Sequence, residues 1–75
     1  MKSVNEYPMI TSRDADNNVA YLAFASLKPG GSAYSLTAQD ADGETALVLD
    51  FGHDGELLGI EMLNAERQMP RLYRI

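Results

Sequence analysis

One stretch of the chain decides the fold, and it reads Thr45-Ala-Leu-Val-Leu-Asp-Phe-Gly-His-Asp-Gly-Glu-Leu-Leu-Gly-Ile-Glu-Met-Leu63. Two mostly apolar runs flank Asp54-Gly55, a dipeptide typical of tight β-hairpin turns. A two-residue turn there, or a four-residue loop of the same parity, places the large apolar residues on one face. A three-residue loop sets Leu49 opposite Gly59 and loses that face. The predicted cross-strand pairs are Phe51 with Leu58, Leu49 with Ile60 and Leu47 with Met62.

Similar turn signals recur along the rest of the chain. Clusters rich in Asp, Asn, Gly and Pro occur at residues 14–18, 28–32, 40–43 and 53–55, about one strand length apart. This spacing predicts a mainly β fold, a small antiparallel β-meander of four to five strands. The predicted strands cover residues 7–13, 19–26, 33–39, 45–51 and 57–63.

A short C-terminal helical turn is the only helical candidate. Asn64 is expected to cap a single turn that runs through Gln68. Pro70 limits how far this turn extends, because proline removes a backbone donor and clashes with the preceding turn of a helix.

The length and composition predict one small domain, residues 1–75. The chain has 75 residues and no cysteine, so its core is thin and disulfides cannot support it. We therefore expect a homodimer, with Val48, Leu57 and Leu63 as the seam on the face away from Leu47. No signal peptide and no apolar run of ~20 residues is visible, which predicts a cytoplasmic protein with no membrane contact.

The charge balance argues against a nucleic-acid partner. Six basic and eleven acidic residues give a net charge of −5, whereas binding to a phosphate backbone needs clustered Lys and Arg. The last nine residues contain Arg67, Arg71 and Arg74 and no acidic residue. This basic tail is either a solvated terminus or a segment that docks on a partner.

The motifs of metal and catalytic sites are incomplete. The pattern Asp50-x-Gly52-x-Asp54-Gly55-x5-Glu61 matches a calcium-binding loop except at position 3 of the loop, where Gly52 stands. Such a loop lies between two helices, whereas these residues are predicted to form two strands. The single histidine, His53, falls in the predicted turn, and no glycine-rich phosphate motif is present. We therefore predict no catalytic residue, no metal and no cofactor.

Asp50 and Glu61 are the one remaining chemical candidate. In the predicted register Asp50 lies opposite Gly59 and diagonal to Glu61, on the face away from the core. Two neighbouring carboxylates can act as general acid and base, or can hold a hard cation. They can equally form a solvated acidic pair at a dimer rim, which accepts hydrogen bonds from Arg13 or Arg67.

Two segments resemble a known family. Residues 14–24, Asp-Ala-Asp-Asn-Asn-Val-Ala-Tyr-Leu-Ala-Phe, resemble the opening Y-D-P-E-A-D-x-x-Y-I-x-L, and residues 49–65 resemble the signature V-D-Y-D-x-D-G-x-x-V-G-I-E-I-L-x-A. Both patterns are those of the bacterial domain-of-unknown-function family numbered 2283, and the resemblance covers residues 9–70. It implies a compact β-rich fold and an antitoxin-like role toward a protein partner.

Taken together, these patterns predict a non-enzymatic protein-interaction module. The alternative is a small enzyme, or a ligand- or cation-binding protein, that uses Asp50 and Glu61 at a dimer cleft. The surroundings of the two carboxylates discriminate between these functions. A shared concave pocket favours the alternative, and an open face favours the module.

Overall fold

A computed structural model of the protein describes residues 4–5, 9–24 and 32–73. These residues form an antiparallel β-sheet followed by short C-terminal helices, which confirms the predicted fold class. The ends of two predicted strands, at residues 7–8 and 25–26, lie outside the described residues. The elements are β1 (Ile10–Asp14), β2 (Val19–Ala23), β3 (Tyr34–Gln39), β4 (Thr45–Phe51), β5 (Leu57–Met62), α1 (Ala65–Gln68) and a 3₁₀ helix (Pro70–Tyr73).

The strand order in the sheet is β1-β2-β5-β4-β3, and all neighbouring strands are antiparallel. This order departs from a sequential meander at one place, because β5 lies between β2 and β4 instead of at an edge. In this central position β5 has a neighbouring strand on each side, and Leu58, Gly59 and Met62 are buried. The edge strands β1 and β3 are exposed along almost their whole length.

The β4–β5 hairpin has the predicted register and a different turn. Leu49 pairs with Ile60, as predicted. The Gly52 amide donates a 2.8 Å hydrogen bond to the carbonyl oxygen of Glu56, so the loop contains residues 53–55 and is one residue longer than predicted. Gly55 has a φ of 87°, the left-handed conformation that closes such a loop. The predicted two-residue turn and its four-residue alternative are therefore both wrong, and the loop has the three residues that the prediction excluded.

A β-bulge restores the register that the longer loop would displace. Leu57 lies opposite Phe51 and Gly59 lies opposite Asp50, so Leu58 is the extra residue of β5. The predicted pair of Phe51 with Leu58 is thus wrong. The prediction assumed two regular strands. Because the bulge adds one residue to β5, a loop with an odd number of residues still leaves the apolar residues on one face. The bulge also places Leu57 opposite a residue of that apolar face, away from the predicted dimer seam.

The register gives the sheet two contrasting faces. We call the side that carries Leu49 the apolar face and the side that carries Asp50 the polar face. Residues paired across neighbouring strands share a face, so the side chains of the apolar face form rows across β2, β5, β4 and β3. The first row is Ala20, Met62, Leu47 and Ala38, and the second row is Leu22, Ile60, Leu49 and Leu36.

The C-terminal helices cover the first row. Ala65 of α1 is fully buried in a cluster with Ala20 and Met62, and Met69 and Leu72 pack against this cluster. The helix α1 forms where it is predicted and ends before the 3₁₀ helix that starts at Pro70. Of the helices in the described residues, none is long and apolar enough to cross a membrane. The core therefore lies at one end of the apolar face.

The cap of α1 comes from a residue that is distant in the sequence. The predicted cap, Asn64, makes no capping hydrogen bond through its side chain. Instead the side-chain oxygen of Asn18, in the β1–β2 turn, accepts a 2.8 Å hydrogen bond from the Glu66 amide. The Asn18 carbonyl oxygen accepts a second bond, 3.0 Å, from the Ala65 amide. Asn18 has a φ of 55°, which asparagine tolerates better than most residues, and its turn thereby holds the C-terminal segment.

Candidate functional site

Asp50 lies at the centre of a hydrogen-bonded group on the polar face. One oxygen of its carboxylate accepts a bond from the Ser35 hydroxyl of β3 (2.7 Å), and the other accepts a bond from the Tyr21 hydroxyl of β2 (3.2 Å). The first bond joins neighbouring strands, whereas the second crosses β5, which lies between β2 and β4. We call Tyr21, Ser35, Asp50 and Glu61 the polar cluster.

Gly59 allows Tyr21 to reach Asp50. It lies opposite Asp50 in the register, and the Tyr21 ring and hydroxyl occupy the space directly above it. A Cβ atom at residue 59 would overlap the Tyr21 hydroxyl and would lie 2.8 Å from the carbonyl oxygen of Leu22. Glycine usually weakens a strand, but here it permits the close approach of an aromatic ring. The contact therefore requires glycine in β5.

The Tyr21 hydroxyl is held in its protonated form. Burial raises the pKa of Tyr21 to about 12, and the charge of Asp50, its hydrogen bond and the charge of Glu61 act in the same direction. Each of these effects disfavours a negative phenolate beside negative carboxylates. At neutral pH the phenol is thus a hydrogen-bond donor to Asp50 and does not serve as a base.

The structure brings the predicted carboxylates together on one face. Glu61 lies opposite Tyr21 on β2 and Val48 on β4, so it is a diagonal neighbour of Asp50, as predicted. Both carboxylate residues are half-buried. Across the described part of the chain, no group of three or more histidine, aspartate and glutamate side chains is arranged to hold a metal ion. Asp50 is hydrogen-bonded to side chains of β2 and β3, and Glu61 lies beside it on the same face.

The two arginines expected near the pair lie elsewhere. Arg13 pairs with Ala20 and therefore lies on the apolar side of the sheet, where its Nη1 donates a 2.8 Å hydrogen bond to the carbonyl oxygen of Leu72. Arg67 lies on α1 and lines a cleft beside the C-terminal segment. Arg13 thus anchors the C-terminal segment, on the side of the sheet opposite to Asp50 and Glu61.

The cleft beside α1 has a volume of about 700 Å³ and is lined by residues of α1 and of the β3–β4 turn. Asp40 organises this turn, because its side-chain oxygen accepts hydrogen bonds from the amides of Asp42 (2.9 Å) and Glu44 (3.1 Å). On the other wall, the side chain of Gln68 donates a 3.0 Å bond to the carbonyl oxygen of Ala46. The predicted carboxylate pair does not line this cleft. The pair therefore lies outside this cleft, on the polar face of the sheet.

The apolar face continues past the C-terminal helices into an exposed patch. Leu36 is 55% exposed and Tyr34 is 48% exposed. The Tyr34 ring stacks on the Phe51 ring, with centroids 5.0 Å apart and an interplanar angle of 6°. Leu36 pairs with Leu49, and Leu49 pairs with Ile60. We call Tyr34, Leu36, Leu49, Phe51 and Ile60 the open patch.

The open patch is not among the predicted sites, because the sequence prediction places side chains on the two faces of the sheet only for the hairpin of residues 45–63. The sequence of β3 indicates that its apolar side chains share one face, since Tyr34 and Leu36 alternate with the small polar residues Ser35 and Thr37. Pairing β3 to β4 in register would have joined its apolar residues to the apolar face. The residues of the predicted seam that face the other way, such as Val48, are half-buried. Within β2 to β5 the exposed large apolar side chains, Tyr34 and Leu36, thus lie opposite to that seam, whereas Ile10 of the edge strand β1 is 68% exposed on the polar face.

Comparison with known proteins places the chain in a family. The model of a family described as protein of unknown function, DUF2283, matches residues 14–66, which include the polar cluster and the open patch. No curated protein and no solved structure matches the chain. The match spans well over half of the 75 residues. The chain therefore belongs to the domain-of-unknown-function family 2283.

Proposed function

We propose that this chain is a non-enzymatic protein-interaction module and that the open patch is its contact surface. The exposure of Tyr34 and Leu36 beside the stacked Phe51 ring carries this proposal. Single exposed apolar residues are ordinary, but a contiguous exposed apolar patch marks an interaction site. Aromatic side chains at such sites contribute a large apolar area when a partner covers them.

The polar cluster supports a non-enzymatic role. Both oxygens of Asp50 accept hydrogen bonds within the sheet, and Tyr21 is a protonated donor at neutral pH. These bonds give Asp50 a structural role, because they tie β4 to β3 and to β2. The alternative, a small enzyme or a ligand- or cation-binding protein, needs Asp50 and Glu61 in a cleft between two copies. The position of the pair on a sheet face, outside the described cleft, supports the module.

Site-specific photo-crosslinking in the native host tests the proposal. A photo-reactive amino acid replaces Leu36 in one variant and Thr37 in a matched control, because both positions are exposed on β3 and face opposite sides of the sheet. We expect a crosslinked protein product from position 36 and none from position 37. Absence of any product at position 36, or equal products at both positions, would contradict the open patch as the contact surface.

The antitoxin-like role implied by the family resemblance is a special case of this proposal. It requires that the partner crosslinked at position 36 is a small toxin-like protein, which mass spectrometry of the product identifies. A product formed only with other proteins leaves the interaction module standing and contradicts the antitoxin-like role.

A further inference from the structure

The open patch consists of uncharged side chains, and Arg13, which lies on the same side of the sheet, is on β1 at the opposite edge from β3. From β2 to β3, the side chains that the register places on the apolar face include no acidic or basic residue. The rest of the chain is acidic, with a net charge of −5. Charge complementarity selects a partner through opposite charges, so an uncharged patch favours neither a basic nor an acidic partner. A fitting partner presents an uncharged apolar surface, and the open patch of a second copy is such a surface.

The core of one copy is small for the length of the chain. In the described residues no large side chain is fully buried, and the buried apolar residues are Ala20, Leu58, Met62 and Ala65. Covering the open patch with the open patch of a second copy would enlarge this core by burying Tyr34 and Leu36, which are 48% and 55% exposed in one copy.

We infer that the open patch binds the open patch of a second copy, face to face about a two-fold axis, so that two sheets share one core. This inference rests on the proposed function and names its partner. Sheets packed face to face lie about 10 Å apart, which is also about the diameter of a helix. The C-terminal helices over the first row can therefore lie beside the partner sheet in the same layer. Tyr34 and Leu36 of each copy pack on the patch of the other.

The mass of the protein in solution provides the first test. By sedimentation equilibrium we expect twice the chain mass of 8.2 kDa for the wild type. Leu36→Glu is expected to give the single-chain mass, with self-association weakened at least tenfold, because the substitution buries a charge in the joint core. Leu36 is 55% exposed in one copy, so the variant keeps its sheet, which circular dichroism checks. The matched control Thr37→Glu, on the polar face of the same strand, is expected to keep the doubled mass.

Chemical crosslinking provides a second test without a charged variant. The chain contains no cysteine, so Leu36→Cys and Thr37→Cys each carry a unique thiol. A short bifunctional maleimide is expected to join two copies of Leu36→Cys and to leave Thr37→Cys uncrosslinked. Equal crosslinking of the two variants would place the contact elsewhere and would overturn the inference.

The remaining outcomes separate this inference from the proposed function. A wild-type mass of one chain at millimolar concentration overturns the inference, as does a dimer that Leu36→Glu leaves intact. If position 36 then crosslinks to a different protein in cells, the interaction module stands and its partner is not a second copy. If position 36 crosslinks to no protein, both the inference and the proposed function fail.

Discussion

The two faces of the sheet stabilise the protein in different ways. On the apolar face, side chains of similar chemistry repeat in rows, so the stabilisation depends mainly on how much apolar area is covered. On the polar face, a single chain of contacts runs from Tyr21 over Gly59 to Asp50. This contact depends on the identity of each residue and not on the area covered.

The difference teaches that stability and register have separate sources in this fold. A shift of β5 by two residues against β2 would keep apolar side chains on the apolar face, because the apolar positions alternate along both strands. The same shift would move Gly59 away from Tyr21 and place a side chain under the ring. The polar face therefore selects one register among those that the apolar face accepts.

The largest expected effect comes from filling the space above residue 59. Gly59→Val is expected to cost about 4 kcal/mol, because its side chain collides with the Tyr21 ring and with the Leu22 carbonyl oxygen and breaks the bond to Asp50. Urea unfolding measures the change in the free energy of unfolding. The matched variant Tyr21→Ala/Gly59→Val should recover part of the loss, since it removes the ring. No recovery would mean that the backbone contact alone requires glycine.

The next prediction compares the covered and the open parts of the apolar face. Met62→Ala is expected to cost about 3 kcal/mol, because Met62 is 4% exposed and its truncation leaves a cavity under α1. Leu36→Ala is expected to cost less than about 1 kcal/mol when the protein is kept dilute enough to be monomeric, because Leu36 is already half in solvent. Thermal unfolding of both variants makes the comparison. Equal losses would show that the open patch is covered within one chain.

A smaller effect is expected at the turn that holds the C-terminal helices. Asn18→Ala is expected to cost about 2 kcal/mol, because alanine loses the cap to Glu66 and resists the positive φ of this position. Asn18→Gly keeps the backbone conformation and loses only the side-chain bonds, so it separates the two contributions. Hydrogen exchange should show faster exchange of the Glu66 amide in both variants. Unchanged exchange of that amide would contradict the role of Asn18 as a cap.

The smallest expected effect is the alkaline response of the polar face. The pKa of Tyr21 is raised from 10.0 to about 12, so the fold favours the protonated phenol. Its contribution to stability is complete below pH 10.0 and is lost as the pH rises toward about 12. Comparison of urea midpoints for the wild type and Tyr21→Phe should show a difference that shrinks over this interval. A difference that stays constant across it would contradict a raised pKa.

The sequence by itself determined the strands and much of the apolar face. Alternation and turn residues placed the strands within a few residues, and the apolar pattern around Asp54-Gly55 set the pairing of Leu49 with Ile60. It also brought Asp50 and Glu61 to one face and located the helical turn before Pro70. These features depend on residues a few positions apart in the chain, where periodicity and turn chemistry act directly.

Only the tertiary structure decided which strands and turns meet. It placed β5 between β2 and β4, which lets Tyr21 reach Asp50 across Gly59 and gives the cap of α1 to Asn18. It also left the open patch beyond the reach of the short C-terminal segment. Each of these contacts joins residues far apart in sequence, so it depends on chain closure and competition among strands, which no local pattern encodes.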